Sequence, residues 1–358
     1  MAAFALLGFA VAVYFTMWAT GVGPVGSLVA QGVIEERDRV VLADFGNSTD
    51  DPGLGDVVTE ALRVDLVQSP ILTVADPSFV DRVLRRMGRD PSADLTPELA
   101  REVAIREGLK AVIQGEVAPA GGGSLLTASI VAADDGAVLA AFRETVDADG
   151  DVIAAIDGLS RQIREKAGES LPRIRAGEAL TTVTTSSLDA LRLYSEAMRL
   201  TEGGRPGEAL GLLEEAVQLD TAFAMAWRKI SALRSNASAP HLETSAAAAR
   251  AYAHRDRLTE RERYLAAAFY NDVAVGDLEA ANRAYRSVLR LDPDEGTALN
   301  NLALNLLDMG RVDEARELLE RAVDGPGETS VAHVNRMRAY VQSGDPASAR
   351  RALVRARE

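Results

Sequence analysis

The sequence contains no cysteine, and only three of its 358 residues are lysine. Without cysteine the chain can form no disulfide, no thiolate metal site and no cysteine nucleophile. Histidine is also scarce: His241, His254 and His333 are isolated and far apart in the sequence, which favours surface or packing roles over metal ligation. We therefore expect no metal and no cofactor.

The chain also lacks the clustered positive charge of a nucleic-acid-binding protein. Its 39 basic and 53 acidic residues give a formal net charge of -14. Residues 1–186 carry a net charge of -11 and residues 187–358 a net charge of -3, so neither half can displace counterions from a phosphate backbone. We expect no nucleic-acid partner. An apolar content of 47% predicts a globular chain, and the length predicts two domains or one domain with a repeat array.

No charged residue precedes Glu35. Residues 2–22, "AAFALLGFAVAVYFTMWATGV", are mostly apolar and long enough to cross the roughly 30 Å hydrocarbon core as a helix. The lack of a positive n-region and of an A-x-A site disfavours a signal peptide. We predict a transmembrane helix over 1–23, with membrane contact through residues 2–22, and a linker over 24–37.

The missing flanking Lys and Arg leave this helix without a charge to orient it. One explanation is that a large segment normally precedes Met1, and this alternative stays open. We expect a single-pass protein of a bacterial inner membrane whose later domains lie outside the cytoplasm.

The stretch "VVLADFG", residues 40–46, places Asp44, Phe45 and Gly46 after an apolar strand. A protein kinase presents its magnesium-binding aspartate in this way. The other kinase motifs are missing, because no lysine precedes Lys110 and no histidine precedes His241. We expect Asp44 to lie at a strand end beside a turn, and we expect no catalytic residue and no enzymatic activity in this chain.

Residues 38–176 alternate between apolar strands and amphipathic helices in the order βαβααβββα, which predicts an α/β domain with a mixed sheet. Two of the helices begin at Pro77 and Pro97, the second with Thr96 as its cap. Asp135 and Gly136 mark the turn of a hairpin.

This stretch resembles the TolB amino-terminal-like domain, which is related to the FlgO- and CsgG-like periplasmic domains. The family pattern has a strand ending in Phe and Asn, a helix, a second strand and then A-x-x-x-G-x-x-x-V-x-x-G-x-V. The last part corresponds to Ala104, Gly108, Val112, Gly115 and Val117. The resemblance covers nearly the whole domain and implies its fold. It carries no catalytic motif.

Residues 187–358 have an internal period. Glycines and alanines recur at one spacing, at Gly276, Gly310 and Gly344 and at Ala281, Ala315 and Ala349. This spacing of about 34 residues predicts an all-α solenoid of tetratricopeptide repeats, each made of two antiparallel helices with small residues at the crossing. We predict about five repeats. The sequence reaches Glu358 at the end of a second helix, so we expect further repeats or a partner to cover the last one.

The second repeat is predicted to be irregular. Gly204 and Ala209 keep the five-residue offset of the other repeats, but the spacing from Ala209 to Ala281 is two periods plus four. We place the four extra residues in "RSNASAPHLET", residues 234–244. Thr259 and Glu262 then predict a capping box at the start of the next helix.

Stacked repeats of this kind usually bind peptides or protein segments in a groove lined by their first helices. The polar and cationic side chains of those helices are therefore the candidate partner-binding residues: Arg192, Arg199, Lys229, Asn300, Asn301, Asn305, Asn335 and Arg338. The run "LNNLALNLLD" has amides that could hold a peptide backbone. The alternative, that these are solvated residues of a structural stack, stays open.

Two functions follow from this organisation. The first is a membrane-anchored, non-catalytic interaction scaffold or sensor with a protein or peptide in its repeat groove. The second is the sensory carboxyl-terminal portion of a larger signalling enzyme, because the order of segments resembles that part of some bacterial membrane serine/threonine kinases and adenylate cyclases. The catalytic domain would then lie upstream.

Overall fold

The structure is a computed structural model, and it describes residues 26–91, 93–148, 150–325 and 330–355. These residues form two compact units. The first unit contains residues up to 75 and residues 93–196, and the second contains residues 76–91 and the chain from 197 onward. The transmembrane helix predicted over 1–23 lies outside the described residues. Within the described ranges, no helix has the length and apolar character needed to span a bilayer.

The first unit contains a six-stranded sheet with the order β3-β1-β4-β5-β6, and β2 pairs beside β4. Strand β1 runs parallel to β3 and β4, whereas β4, β5 and β6 form successive antiparallel pairs. The sheet is therefore mixed, as predicted, and a two-residue strand was missed. The strands are β1 Asp38–Leu42, β2 Gly46–Asn47, β3 Leu72–Val74, β4 Ala111–Ala120, β5 Gly123–Ala132 and β6 Val138–Val146.

The hairpins of this sheet are closed by glycine. Gly121 and Gly122 form the two-residue loop between β4 and β5, and both have positive φ, at 56° and 90°. A two-residue loop of this type needs a left-handed backbone at both positions, which glycine adopts at little cost. Gly136, with φ 74°, lies at the next turn, where the sequence predicted it.

Helices of the first unit pack on this sheet with apolar faces. Thr96 caps α3 as predicted, because its Oγ1 accepts a hydrogen bond from the Leu99 amide at 3.3 Å. Helices α5 and α6 were not predicted, since six and four residues are too short to show a helical period. The helices up to residue 183 are α1 Leu54–Leu66, α2 Pro77–Arg86, α3 Pro97–Arg106, α4 Val152–Ala167, α5 Leu171–Ala176 and α6 Leu180–Val183, and of these α2 lies in the second unit.

The aspartate of the kinase-like stretch has a structural role. Asp44 lies just beyond β1, where its Oδ2 accepts a hydrogen bond from the Leu95 amide at 2.7 Å. The Asp44 amide donates in return to the Leu95 carbonyl at 3.0 Å. Burial raises the pKa of Asp44, and the hydrogen bond from Leu95 opposes this rise. Asp44 thus joins two chain segments at a strand end.

The position of Phe45 explains why residue 115, the last glycine of the predicted family pattern, is glycine. A Cβ at Gly115 would lie 2.3 Å from the Phe45 ring, and a Cβ at Gly55 would lie 2.6 Å from the Phe45 carbonyl oxygen. Thr59 fixes the same residue, because its Oγ1 accepts a hydrogen bond from the Phe45 amide at 2.9 Å. The ring therefore occupies space that only glycine leaves open.

A buried ionic cluster joins α1 to the end of α4. Arg164 donates from Nε and Nη2 to the two carboxylate oxygens of Glu169 at 3.0 and 2.9 Å, and its Nη1 lies 3.5 Å from Asp65 Oδ2. All three side chains are almost fully buried. Two carboxylates thus share one guanidinium in the interior, a geometry that satisfies the charges within the fold.

Residues 26–34, part of the stretch predicted as a linker, pack against the end of α4. The Leu28 amide donates to the Lys166 carbonyl at 2.9 Å, and the Val29 amide donates to the Ala167 carbonyl at 3.2 Å. Lys166 Nζ donates in turn to the Gly26 carbonyl at 2.8 Å. Leu28 is fully buried. These bonds satisfy carbonyls that the last turn of a helix leaves free.

The described residues from 188 onward form five helix pairs, as the 34-residue period predicted. The pairs are α7 Leu188–Glu202 with α8 Pro206–Leu219, α9 Ala224–Asn236 with α10 His241–Ala253, α11 Glu260–Phe269 with α12 Leu278–Leu291, α13 Gly296–Asp308 with α14 Val312–Asp324, and α15 Ser330–Gln342 with α16 Pro346–Arg355. From α8 onward, each helix packs against the next in the chain, which is the arrangement of a helical solenoid.

The repeated glycines end the first helix of each pair. Gly204, Gly276, Gly310 and Gly344 all have φ between 73° and 77°, the left-handed conformation typical of a helix end. In repeat two the same place, one period after Gly204, is taken by Ser238 with φ 53°. The structure thus assigns a turn to every repeat, including the one whose glycine is missing.

The first helix of repeat three is longer than its neighbours. The span from helix cap to turn residue is equal in repeats two and four, and it is two residues longer in repeat three. The excess forms a π-helical turn, Tyr270–Val275, which accommodates extra residues without ending the helix. The spans compared are Phe223–Ser238, Glu295–Gly310 and Thr259–Gly276.

The other two extra residues lie in connections. Ser238 and the buried Thr244 are six residues apart, whereas Gly204 and Ala209 are five apart. The connection from α10 to the cap of α11 is two residues longer than that from α8 to the cap of α9, and α10 is one residue shorter than α8, so this part of the repeat adds one residue. The prediction that residues 234–244 hold all four is therefore wrong for three of them. The period gives the total excess but does not indicate which turn or helix accommodates it.

Candidate protein-binding surface

The first helices of successive repeats contact one another through polar side chains. Asn335 on α15 donates to Asn300 on α13 at 2.8 Å, and Arg338 on α15 pairs with Asp308 on α13 at 2.7 Å. Arg228 on α9 forms an ion pair with Glu262 on α11. Arg261 on α11 lies 3.9 Å from Glu295, the cap of α13, so polar contacts link the first helices of repeats two to five into one continuous polar surface.

Four polar side chains, three of them buried, form an amide ladder, Asn335, Asn300, Asn301 and Tyr285. Asn335 Nδ2 donates to Asn300 Oδ1, Asn300 Nδ2 donates to Asn301 Oδ1 at 3.0 Å, and Asn301 Nδ2 donates to the Tyr285 hydroxyl at 3.2 Å. Each amide donates to its neighbour. The ladder thus joins repeats three, four and five from within.

A charged seam lies at the starts of the first helices and consists of Arg228, Glu262, Arg261 and Glu295. Arg261 lies 3.9 Å from both Glu262 and Glu295, between repeats three and four. Glu262 lies in the first turn of α11, where Thr259 Oγ1 accepts a hydrogen bond from the Glu262 amide at 3.4 Å. Thr259 thus caps the helix as predicted, while the Glu262 side chain pairs with arginine. Acids and bases alternate along the seam, so its charges largely compensate one another.

The third group, the Asp272 cluster, consists of Asp272, Asn305 and Asp308. Burial raises the pKa of Asp272 to about 6, the negative charge of Asp308 adds to this rise, and the Asn305 amide opposes it. Tyr285 is also close to Asp272. Burial raises the pKa of the Tyr285 hydroxyl, and the negative charge of Asp272 raises it further. The cluster therefore combines two carboxylates at the end of the first helices of repeats three and four.

The predicted binding residues fall into separate groups. Asn300, Asn301 and Asn335 lie together in the ladder, while Asn305 and Arg338 lie beside Asp308. Arg192 belongs to the first unit, where it pairs with Asp51 and with Asp189. Arg199 is exposed on α7 and Lys229 is half-buried on α9. The role of these residues in binding stays a prediction.

Three residues of the amide ladder and the Asp272 cluster could not be identified from the sequence. Asp272 lies in the π-helical turn, and the broken 34-residue period was the one available indication of it. Tyr285 is buried on the second helix α12, and helical spacing indicates its burial but not the hydrogen bond that its hydroxyl accepts. Asp308 is an exposed carboxylate whose neighbours no spacing rule predicts.

Family models match the carboxyl-terminal part of the chain. One tetratricopeptide repeat model covers residues 272–325 and another covers residues 330–355. These stretches are tetratricopeptide repeats. The matched repeats contain the amide ladder and the Asp272 cluster. No curated protein matches the sequence significantly.

Several solved structures resemble parts of the chain. The APC/C hetero-tetramer Cut9–Hcn1 is 18% identical over 47% of this chain and 33% of that chain, with a TM-score of 0.37. YrrB, a tetratricopeptide repeat protein with an unusual peptide-binding site, is 19% identical over 47% of this chain and 84% of its own, with a TM-score of 0.30. The LpoB carboxyl-terminal domain from Salmonella enterica is 15% identical over 35% of this chain and 98% of its own, with a TM-score of 0.28.

Proposed function

We propose that this protein is a membrane-anchored, non-catalytic scaffold or sensor that binds a protein partner on the first helices of its tetratricopeptide repeats. Repeats of this class serve as interaction scaffolds. The observation that carries the proposal is the continuous polar surface from Arg228 to Arg338, built by contacts between successive first helices. A surface of this length suits an extended segment of a protein.

Two observations support a role without catalysis. Asp44, in the kinase-like stretch, is held by Leu95 in a structural contact. In the part of the chain that the structure describes, no three His, Asp or Glu side chains are grouped so as to hold a metal ion.

Membrane attachment is the second element of the proposal. It is supported by the apolar residues 2–22 and by the absence of charge before Glu35. We further propose a TolB-like fold for the mixed-sheet unit, on the residue pattern that ends at Gly115 and Val117. The location proposed is a bacterial inner membrane, with both units outside the cytoplasm.

The alternative function is the sensory portion of a larger signalling enzyme, with a serine/threonine kinase or an adenylate cyclase upstream. The order of the segments, an apolar stretch, a mixed-sheet unit and tetratricopeptide repeats, is the observation that supports it. In this case the repeats would still bind a protein, and the binding event would be reported across the membrane.

Fractionation of native membranes tests the anchor and separates the two functions. An antibody to the repeats should detect a product that stays in the membrane after carbonate extraction. A band near 38.0 kDa supports the free-standing scaffold, and a band larger by a domain or more supports the signalling enzyme. Release of the product by carbonate would contradict the anchor.

Cross-linking tests the binding surface directly. Because the chain has no cysteine, a photo-cross-linker can be attached to the purified chain at one introduced cysteine and at no other position. After the labelled chain is added to solubilised native membranes, we expect cross-linked products from Arg338→Cys on a first helix and none from Glu317→Cys, which is exposed on the second helix α14. Equal labelling from both positions, or none from Arg338→Cys, would contradict the proposed surface.

A further inference from the structure

We propose that the outer edge of strand β6 pairs with an extended segment of a partner protein that carries a carboxylate opposite Arg143. This edge belongs to the sheet of the first unit, so the inference goes beyond the repeat surface of the proposed function and does not depend on it. Three observations carry it: the unpaired backbone of β6, the uncompensated charge of Arg143 beside that backbone, and a cavity that adjoins both.

Strand β6 forms a long edge of the sheet. Among the described residues it pairs with β5 alone, and no backbone group of β6 bonds to anything on its outer side. From Ala140 to Val146 the pairing with β5 is regular, and the strand contains neither proline nor lysine, two residues that commonly protect an edge. The opposite edge, β3, is only three residues long. The outer edge of β6 can therefore accept another strand, and β3 offers little to pair with.

The two faces of β6 differ in charge. Glu144 lies on the side of α4, because its carboxylate accepts a hydrogen bond from Gln162 and its backbone is opposite the fully buried Leu126. Arg143, the next residue, therefore lies on the other side, where it is exposed and opposite Thr127. A strand added to β6 would thus meet a cation on one face of the sheet only.

The charge of Arg143 is not compensated within the described part of the chain. Glu116, Thr127 and Arg143 form one row across β4, β5 and β6, so the backbones of Glu116 and Arg143 lie about 10 Å apart at the ordinary strand spacing. Neither charged side chain forms an ion pair with another described residue. The next position in this row lies on the strand that β6 lacks, about 5 Å from Arg143. A carboxylate at that position would compensate the arginine.

A cavity of about 640 Å³ adjoins the same row. It begins at Pro97 and reaches the edge of the sheet, because Ala141, Phe142 and Arg143 of β6 form part of its wall. The cavity gives the side chains of an added strand room beside Arg143. Its polar lining is formed by Gln114, Glu116, Thr127, Ser129, Arg143 and Gln162.

A second copy of β6 would not supply the missing charge. Residues opposite each other in paired strands face the same side of a sheet, and on the side of Arg143 strand β6 carries Ala141, Arg143 and Thr145. Self-pairing would therefore place an uncharged residue or a second arginine opposite Arg143. The one carboxylate of β6, Glu144, faces α4. The occupant inferred is thus a strand of a different protein, with an acid opposite Arg143 and an apolar residue opposite Phe142.

The test uses the purified full chain and three fluorescent peptides of about nine residues, the length of β6. The first alternates threonine and valine with a central aspartate in the threonine series, the second has asparagine in place of this aspartate, and the third keeps the aspartate but has proline at two adjacent positions. Fluorescence anisotropy measures binding. We expect the aspartate peptide to bind about 3-fold more tightly than the asparagine peptide, the ratio expected of one cross-strand charge pair. It should bind at least about 10-fold more tightly than the proline peptide, because adjacent prolines remove an amide donor from each edge of the peptide.

Hydrogen exchange and two variants locate the effect. The aspartate peptide should protect amides of β6 from exchange and leave those of β3 and of the repeat helices unchanged. Arg143→Gln should abolish the preference for aspartate over asparagine without weakening the binding of the asparagine peptide. The control Arg173→Gln removes an exposed arginine on α5 and should leave the preference unchanged. A melting curve by circular dichroism shows that each variant remains folded.

Three results would overturn the inference. The first is an aspartate peptide that does not bind or that protects helices of the repeats in place of β6. The second is a preference for aspartate that survives Arg143→Gln. The third is protection of β6 that rises with the concentration of the chain alone, which would identify a second copy as the occupant. Cross-linking from Arg338→Cys reports on the repeat surface separately, so either surface can fail while the other holds.

Discussion

The two units treat buried carboxylates in opposite ways. In the first unit Asp65 and Glu169 share Arg164, and the three side chains satisfy one another in the interior. In the second unit Asp272 is half-buried beside Asp308, and no described cation neutralises it. The first arrangement is complete and stabilises structure, whereas the second leaves a half-buried negative charge that costs stability. The difference shows that burial alone does not tell whether a carboxylate stabilises the fold.

The largest loss of stability is expected from replacing Arg164, the cation of the buried ionic cluster in the first unit. Arg164→Met leaves Asp65 and Glu169 buried without a counter-charge and should destabilise the first unit by about 3–5 kcal/mol. Urea unfolding measures the loss, and hydrogen exchange of α4 assigns it to this unit. Arg161→Met is the control, because Arg161 is half-exposed on the same helix, and its pairing with Asp157 contributes below about 1 kcal/mol. Equal losses in both variants would contradict the comparison.

At the Asp272 cluster, in contrast, we expect a substitution to raise the free energy of unfolding. Asp272→Asn removes a charge that burial disfavours and should stabilise the second unit by about 1–2 kcal/mol at pH 7, after allowance for partial solvent exposure. Urea unfolding with hydrogen exchange of α11 provides the measurement. Destabilisation by this variant would mean that Asp272 has a compensating partner in the folded chain.

The pH dependence of this gain follows from the raised pKa of Asp272. The pKa is about 6 in the folded protein and 3.8 without burial, so the folded state binds the proton more tightly. The contribution of Asp272 to stability is thus full below about pH 4 and is lost as the pH rises through 6. The difference in unfolding free energy between Asp272→Asn and the unmodified chain should grow between pH 4 and pH 7. A difference that stays constant over this range would contradict the assignment.

The smallest effect on stability is expected from Arg338→Gln. Arg338 and Asp308 are both about half-exposed, and surface pairs of this kind contribute below about 1 kcal/mol. Thermal melting measures this loss. A loss well above about 1 kcal/mol would contradict the view that this pair behaves as a surface pair.

Much of the fold could be predicted from the sequence because local rules dictate it. A helix pair that packs on its copies needs small residues at fixed places and a left-handed turn, so Gly276, Gly310 and Gly344 indicated the period directly. The mixed sheet followed from the alternation of strands and helices, and Asp135–Gly136 marked a hairpin. Strand β2 was missed because two residues show no pattern.

The candidate site was less predictable because its contacts join different repeats. That Asn335 bonds to Asn300 depends on how α15 lies on α13, and no spacing within one helix reveals it. Asp272 was displaced by extra residues whose number, but not whose location, was visible in the sequence. The same limit hid Arg164 and its two carboxylates, since Asp65 lies 99 residues earlier in the chain.

The docking of residues 26–34 on α4 has a mechanical consequence. A tension applied to the chain ahead of Gly26 would load the hydrogen bonds of Gly26, Leu28 and Val29 with the end of α4 before it reached the sheet. Gly26, Leu28 and Val29 bond directly to α4, the helix that carries Arg164, so the force passes straight to that helix. The first unit would therefore move together with the preceding segment when that segment is displaced.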